Sequence, residues 1–295
     1  MIKRYTLIGH LSMFMFSILV SVSFILGEKV SNEIDPILIS ALRVLIASFF
    51  IGILFFFHKK TKLIDLSHPY RFLFLGGMIS TYFVLMFEGL KTADAISMSV
   101  VFTLTPLMSG VFDFFLSRRK MSKMLIFVVI IGAIGAIWII FEGNIENVLK
   151  LKIGKGEVIF IFGCICHSLY AALIPRLNKG EIPLSQTFGT LLACSLLLTT
   201  LSVNKFQNID IGIFTSLIII TVFYLAIFAT ATSFFLIQFS ARRLSSVKVM
   251  AYTYAIPFWV AISNGIFNKS MPDFDFFIGA SLIAFCLVYL LLNSE

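Results

Sequence analysis

Charge is what this sequence has least of. Asp, Glu, Lys and Arg make up 13% of its 295 residues, about half of what an ordinary soluble domain carries. Such a composition cannot coat a core with a water-facing shell, and a soluble globular domain is excluded. Cysteine is also sparse. Cys164, Cys166, Cys194 and Cys286 all fall inside apolar runs, with Cys164 and Cys166 on different sides of one helix, so neither a disulfide framework nor a metal site is implied. Motifs of membrane-embedded enzymes are missing: there is no Gly-x-Gly-Asp, no His-Glu-x-x-His and no pair of Asp-rich segments. Leu107 stands where a Gly-x-Ser-Gly motif ending at Ser109-Gly110 needs glycine. No phosphate-binding loop is present, so ATP does not drive the protein directly. Neither an enzymatic activity nor a cofactor is expected.

What is there is apolar: 59% hydrophobic residues and a mean hydropathy of +1.01. A helix needs ~20 such residues to cross the ~30 Å hydrocarbon core. Windows of that kind fall near 7–26, 36–57, 72–90, 95–116, 124–141, 157–175, 184–203, 212–238, 248–267 and 276–293. The runs are continuous, where barrel strands would alternate with period two over ~10 residues. The expected fold is an all-α integral membrane protein of ten transmembrane helices, with Asn32–Pro36 and Met271-Pro272-Asp273 among its turns. The first run is too long for a signal peptide, and nine more follow.

The chain also repeats itself. Lys29 to Pro36 recurs as Arg176 to Pro183, and Val101-Phe-Thr-Leu-Thr-Pro106 as Tyr252-Thr-Tyr-Ala-Ile-Pro257. Two five-helix units are expected, over 1–145 and 156–295, and a duplicated hydrophobic unit of this size points to a transporter. Of 23 Lys and Arg, Arg43 lies within a span and seven (Lys29, Lys91, Lys150, Lys152, Lys155, Lys205, Lys269) fall in one set of loops, leaving fifteen in the other. Basic loops stay cytoplasmic, which puts both termini there. Five being odd, the second unit enters from the opposite side, so the repeats are inverted. The net charge of +8 is thereby dispersed over short loops, which excludes a nucleic-acid surface.

Particular residues narrow the class. Phe24-Ile-Leu-Gly-Glu-Lys29, Asp35-Pro36, Arg43 and Ala47, then Gly89-Leu-Lys-Thr-Ala-Asp-Ala-Ile96, Leu104-Thr-Pro106 and Phe115-Leu116, stand in an order that resembles the drug/metabolite transporter superfamily, EamA type. Gly156, Tyr170, Arg176, Pro183, Ser245-Ser-Val247 and Pro257 repeat the pattern. The chain departs from it at Ser117-Arg118-Arg119, where the family usually has Gly-Glu-Arg, and at Val22-Ser23, where it has Trp-Gly. The resemblance implies a bacterial inner-membrane carrier whose helices 1, 3, 4, 6, 8 and 9 enclose a cavity, with helices 5 and 10 outside it. Gly132, Gly135 and Ala136 in helix 5, and Gly279, Ala280 and Ala284 in helix 10, suit such close packing.

Polar residues on the implied cavity helices are the candidate substrate contacts: Ser21, Tyr82, Ser97, Thr103, His167, Tyr170, Lys248, Tyr252 and Tyr254. His10, Ser17 and Ser21 share a face of helix 1, His167 and Tyr170 a face of helix 6, and Lys248 and Tyr252 a face of helix 9. Against these stand satisfied interhelical bonds and snorkelling of Lys248. Glu88 and His167 are the proton-coupling candidates, with a Glu88–Lys91 ion pair as the alternative. Pro106 and Pro257, each freeing a carbonyl one turn earlier, are the hinge candidates. Arg43 is read as a structural clamp rather than a substrate anchor, since the resemblance puts helix 2 outside the cavity. The function expected is secondary transport of a small organic metabolite (an amino acid, a nucleobase-type or a zwitterionic compound) by alternating access, export before import. Uptake of an essential metabolite such as S-adenosylmethionine, and a sensory or partner-dependent role, are the alternatives. The chain is expected as monomer or homodimer in the bilayer, without nucleic acid or metal.

Overall fold

The structure is a computed structural model, described here for residues 4–118, 121–141, 144, 146, 153–207, 211–268 and 274–293. The turn expected at Met271–Asp273 and the loop charges Lys3, Arg119, Lys120, Lys150, Lys152 and Lys269 lie outside the described residues. Every regular element among those residues is helical: α1 (Arg4–Val30), α2 (Pro36–Phe57), a 3-10 turn (Leu63–Leu66), α3 (Tyr70–Leu90), α4 (Ala95–Phe102), α5 (Thr105–Ser117), α6 (Lys123–Ile140), α7 (Lys155–Leu177), α8 (Pro183–Gln207), a 3-10 turn (Ile211–Ile213), α9 (Ser216–Ala226), a π-helical turn (Ile227–Thr232), α10 (Ser233–Ala241), α11 (Ser246–Ala251), a 3-10 turn (Tyr252–Tyr254), α12 (Ala255–Asn268) and α13 (Phe274–Leu292).

Among the described residues, eight helical stretches are long and apolar enough to cross a membrane, and they coincide with eight of the expected windows. The window at 124–141 holds a shorter apolar helix, and that at 248–267 is interrupted by the 3-10 turn. Caps set the starts. The Asp35 carboxylate accepts the Ile37 and Leu38 N–H groups at 2.9 and 3.2 Å ahead of Pro36, and Asp94, Ser122 and Thr215 cap α4, α6 and α9 in the same way.

Breaks come from proline. Pro106 has no N–H to offer the Phe102 carbonyl, so α4 stops there and the Thr105 hydroxyl donates to that carbonyl instead, at 2.8 Å. Pro257 likewise follows the 3-10 turn Tyr252–Tyr254. The two breaks meet in the protein interior, where the Thr105 and Thr253 hydroxyls are 3.2 Å apart.

One large apolar core joins α1, α2, α3, α4, α7, α8 and α10, and a smaller one lies between α6 and α13 around Val128, Val129, Ile283 and Cys286. Close packing has its cause in glycine. A Cβ on Gly135 would stand 2.8 Å from the Gly279 carbonyl oxygen, and one on Gly156 2.5 Å from that of Gly89. Large side chains such as Phe49, Phe57, Phe115 and Phe274 are 72–85% exposed. An outer surface of that kind belongs in a lipid environment, since proteins in water rarely expose large apolar side chains at such density.

The two ends of the bundle are tied by polar pairs. At the end carrying Tyr5, buried Arg71 meets Glu181 at 2.5 Å and donates to the Leu177 carbonyl at 2.6 Å, and Asp113 meets both Arg176, at 3.5 Å, and the Ser246 hydroxyl. At the opposite end Asp35 pairs with Lys205, and the Ser97 hydroxyl donates to Glu157 at 2.5 Å.

Candidate functional site

The least ordinary stretch of backbone is the π-helical turn Ile227–Thr232. Within it the Thr230 and Thr232 hydroxyls reach back five residues, to the Leu225 and Ile227 carbonyls at 2.7 and 2.8 Å. A π turn inside an α-helix is rare and clusters at functional sites. Here it faces an arginine. From α2, Arg43 donates Nε–H to the Thr230 hydroxyl at 2.9 Å and Nη2–H to the Ala229 carbonyl at 3.3 Å. Its Cζ lies 4.0 Å from the centre of the Phe83 ring.

Arg43 is 1% exposed. No Asp or Glu among the described residues lies within ion-pairing distance of it, and its Nη1 has no hydrogen-bond partner there. Burying a cation without a counter-charge costs several kcal/mol, and an intramembrane charge of this kind marks a functional position. The guanidinium borders a cavity of about 10 Å³, room for about one water molecule, lined by Phe16, Val20 and Ser23 of α1, Tyr82, Phe83 and Met86 of α3, His167 of α7, and Ala229, Ser233 and Phe234. His167 packs on Tyr82 with ring centres 4.5 Å apart, and its Nδ1 is buried without a partner.

Toward the Lys205 end a layer of aromatic rings packs behind Tyr82 of the chamber wall. Phe102 stacks on Phe160 and Tyr82 at 6.0 Å each, and Phe24 leans on both phenylalanines at 5.6 and 6.0 Å. On the other side Tyr170, fully buried, accepts from Gln238 Nε2 at 2.9 Å and packs against Phe234 at 5.5 Å. Phe102 is the last residue of α4, so the ring that backs Tyr82 and His167 of the chamber wall sits at the Pro106 break.

Of the residues expected from the sequence, Tyr82 and His167 line the chamber and Tyr170 stands behind it. The others lie elsewhere, each for a local reason. Ser21 donates to its own helix, at the Ile18 carbonyl, and Ser23 takes its place at the wall. Ser17 accepts from Trp259 and His10 bonds the Tyr252 hydroxyl at 2.8 Å, so that stripe of α1 faces α12 and the 3-10 turn Tyr252–Tyr254, and Tyr252 faces α1. Tyr254 is turned the opposite way, onto Gly132 and Cys286 in the α6–α13 core. Thr103 donates to the Val100 carbonyl at the break, Ser97 bonds Glu157 at the bundle end, and Lys248 reaches the Asn293 carbonyl at 2.7 Å. Glu88 is 43% exposed and pairs with Lys91 at 2.9 Å, which removes it from the interior.

The clamp expected of Arg43 agrees with its bonds to the Ala229 carbonyl and the Thr230 hydroxyl, and what the sequence leaves out is its place beside the chamber. Its long side chain crosses from α2 to the π turn, so its guanidinium enters a chamber its own backbone does not line. The π turn has no clear signal beyond the Ala-Thr-Ala-Thr alternation at 229–232. Among the described residues no group of three or more His, Cys, Asp or Glu is placed to hold a metal.

Two families of observation now meet: a helical bundle with an apolar exterior, and a small polar chamber at its centre beside two broken helices. Known proteins share both the sequence and the shape. The chain is 25% identical over 276 residues to the uncharacterized transporter YyaM of Bacillus subtilis (strain 168), covering 91% of this chain and 88% of that one. It is 22% identical over 273 residues to the uncharacterized transporter YetK of the same organism, covering 90% and 81%. A solved crystal structure with 17% identity superposes with a TM-score of 0.76 over 100% of this chain and 99% of that one, a likeness of fold. The profile of the EamA-like transporter family matches twice, at residues 7–141 and again at 154–292. The chain belongs to the EamA-like transporter family, within the drug/metabolite transporter superfamily.

Proposed function

We propose that the protein is a secondary carrier for a small organic metabolite bearing a carboxylate, an amino acid or similar zwitterion, whose anionic group is held by Arg43. The observation that carries this is the fully buried guanidinium with Nη1 left over. A carboxylate would supply the missing acceptor and the missing counter-charge together. The rings of Tyr82, Phe83 and His167 around it suit a ligand with an apolar or planar body.

A chamber of about 10 Å³ holds no metabolite, so transport requires it to open. In this reading ten helices cross the membrane as two inverted five-helix units, over 1–145 and 156–295, with both termini cytoplasmic in a bacterial inner membrane. The breaks before Pro106 and Pro257 are the flexing points. Swinging α4 about the first would carry Phe102 off the chamber wall and open the chamber toward the Lys205 end. The Arg71–Glu181 and Asp113–Arg176 ties would part when it opens toward the other. His167 is the residue assigned to proton coupling, and export is the direction carried forward from the family.

The test is a metabolite screen by thermal shift on the purified protein, followed by flux into proteoliposomes with and without an imposed pH gradient. A ligand at ~100 times its Kd adds about 2.7 kcal/mol to the folded state. Stabilisation by carboxylates that disappears in Arg43→Gln supports the assignment. Hits without a carboxylate, or hits unaffected by that substitution, refute it.

A further inference from the structure

A second and much larger cavity, about 880 Å³, lies on the flank of the bundle between α2 and α10, with the start of α8 as its floor. Phe50, Leu54 and Phe57 form one wall and Phe235 and Phe239 the other. At the Tyr5 end the lining changes character to His58, Lys60, Arg242 and Arg243. No acidic residue lines it among the described residues. From Thr232 to Arg243 the groove wall runs eleven residues, about 16 Å at the helical rise. That is about half of the ~30 Å hydrocarbon core, the depth of one leaflet.

Arg243 occupies the seam between the two halves of the groove. Its Cζ sits 3.4 Å from the Phe239 ring centre and 4.6 Å from that of Tyr5, and its Nη1 donates to the Phe239 carbonyl at 2.5 Å. Tyr5 is itself fixed, its hydroxyl donating to the Arg242 carbonyl at 3.2 Å. Arg243 Nε is buried without a partner. Burial pulls the Arg243 pKa below its usual value, Tyr5 opposes that, and Arg242 adds to it. A bias toward basic loops explains the sign of these charges. It does not explain why one of them is sandwiched between two rings at the mouth of an apolar groove, beside a second arginine and with no acidic side chain among the described residues paired to either.

We propose that this groove binds an anionic glycerophospholipid, its phosphate on Arg242 and Arg243 with Lys60 beside them, and one acyl chain lying between α2 and α10. Basic pockets between membrane helices are suited to such headgroups, and an arginine fork matches phosphate geometry. The site is separate from the Arg43 chamber and does not depend on what Arg43 binds. It has a consequence for it nonetheless: α2 carries Arg43, and α10 continues from the π turn that Arg43 grips. A lipid seated between them would brace those two elements against each other.

Native mass spectrometry of the full chain in detergent tests the site, with phosphatidylglycerol and phosphatidylcholine of the same acyl composition, and glycerol 3-phosphate as a soluble competitor. Phosphatidylglycerol should be retained at least tenfold better than phosphatidylcholine. Arg242→Gln with Arg243→Gln should abolish that preference, and Leu54→Trp, which fills the groove and leaves its charges, should lower retention of the lipid. Monodispersity and the lipid-free melting temperature of each variant separate loss of binding from loss of fold. Arg43→Gln should keep the lipid, which distinguishes this site from the transport chamber. Equal retention of the two lipids, a preference that survives in the double variant, displacement by glycerol 3-phosphate, or loss in Arg43→Gln would each overturn the proposal.

Discussion

The guanidinium carbon of Arg43 stands 4.0 Å from the centre of the Phe83 ring, while Nε and Nη2 are spent on the Thr230 hydroxyl and the Ala229 carbonyl. Two of its three nitrogens therefore hold it in place and the third is spare. Arg43→Met should separate fold from function. The Ala229 carbonyl keeps a donor in the Ser233 hydroxyl at 2.8 Å, and an unpaired buried cation is gone, so the melting temperature should stay level or rise. Losing a charge-assisted hydrogen bond to the ligand removes about 1.5–3 kcal/mol, roughly 10- to 100-fold in affinity. Thermal unfolding and ligand titration on the same preparation give both readings. A large drop in melting temperature would mean that Arg43 is a structural clamp.

The opposite behaviour is expected of Arg71. Both partners of the Arg71–Glu181 pair are nearly buried, at 2% and 5% exposure of their side chains. Glu181→Ala strands the cation and should cost about 3 kcal/mol. Arg71→Met combined with Glu181→Leu should recover most of that loss, since the desolvation penalty disappears with the pair. Unfolding curves of the three variants decide it, and a double variant no better than the single one would show that the hydrogen bonds of Arg71 to Leu177 and Ser67 are what matter.

The spans, the two prolines and the packing glycines are legible because each acts through backbone geometry, and backbone geometry follows from residue type and spacing. Gly135 and Gly279 admit a close helix pair whatever surrounds them, and Pro106 breaks a helix whatever it faces. The site is legible only in part. Tyr82 and His167 stand out because polar side chains on apolar helices are few. The resemblance puts Tyr252 and Tyr254 on a cavity helix, yet they lie elsewhere and on opposite sides, because residues two apart along a helix are turned by roughly 200°: Tyr252 meets His10 and Tyr254 packs into the α6–α13 core. Arg43 is legible as a clamp on a neighbouring helix, but its place beside the chamber is not, because a helix is judged by its backbone position while a side chain of that length acts a full helix away.

Asp35 gives a pH dependence with a defined sign. Burial alone would raise its pKa. The Lys205 ammonium and the Leu38 and Ile37 N–H groups outweigh that and hold the carboxyl below its ordinary value. A depressed carboxyl contributes stability above the unfolded pKa of about 3.9, and the contribution is lost as pH falls through the lower folded value. Asp35→Ala should cost about 1 kcal/mol at neutral pH, mainly through the lost cap, and Asp35→Asn much less. Melting temperatures between pH 3 and 7 should show the wild type and the Ala variant converging toward the acid end. Curves that stay parallel would remove the ion pair and cap from the explanation.

Pro106 is where fold and transport are most directly joined. Replacing it with alanine restores an N–H that can bond the Phe102 carbonyl, now served by the Thr105 hydroxyl at 2.8 Å. Once that bond forms, α4 and α5 can run on as one helix and the 103–104 junction stiffens. Phe102 then stays against the chamber wall. Ligand affinity measured on the purified protein should change little, while flux in proteoliposomes should fall, because the closed site persists and its opening does not. Thr105→Val is the complementary change. It leaves the proline break in place and removes the hydroxyl that serves the orphan carbonyl, so it should lower stability by about 1 kcal/mol without stiffening the junction. If Pro106→Ala carries substrate at the wild-type rate, the break before Pro106 is a structural kink, and the motion that opens the chamber must be sought at the π turn beside Arg43.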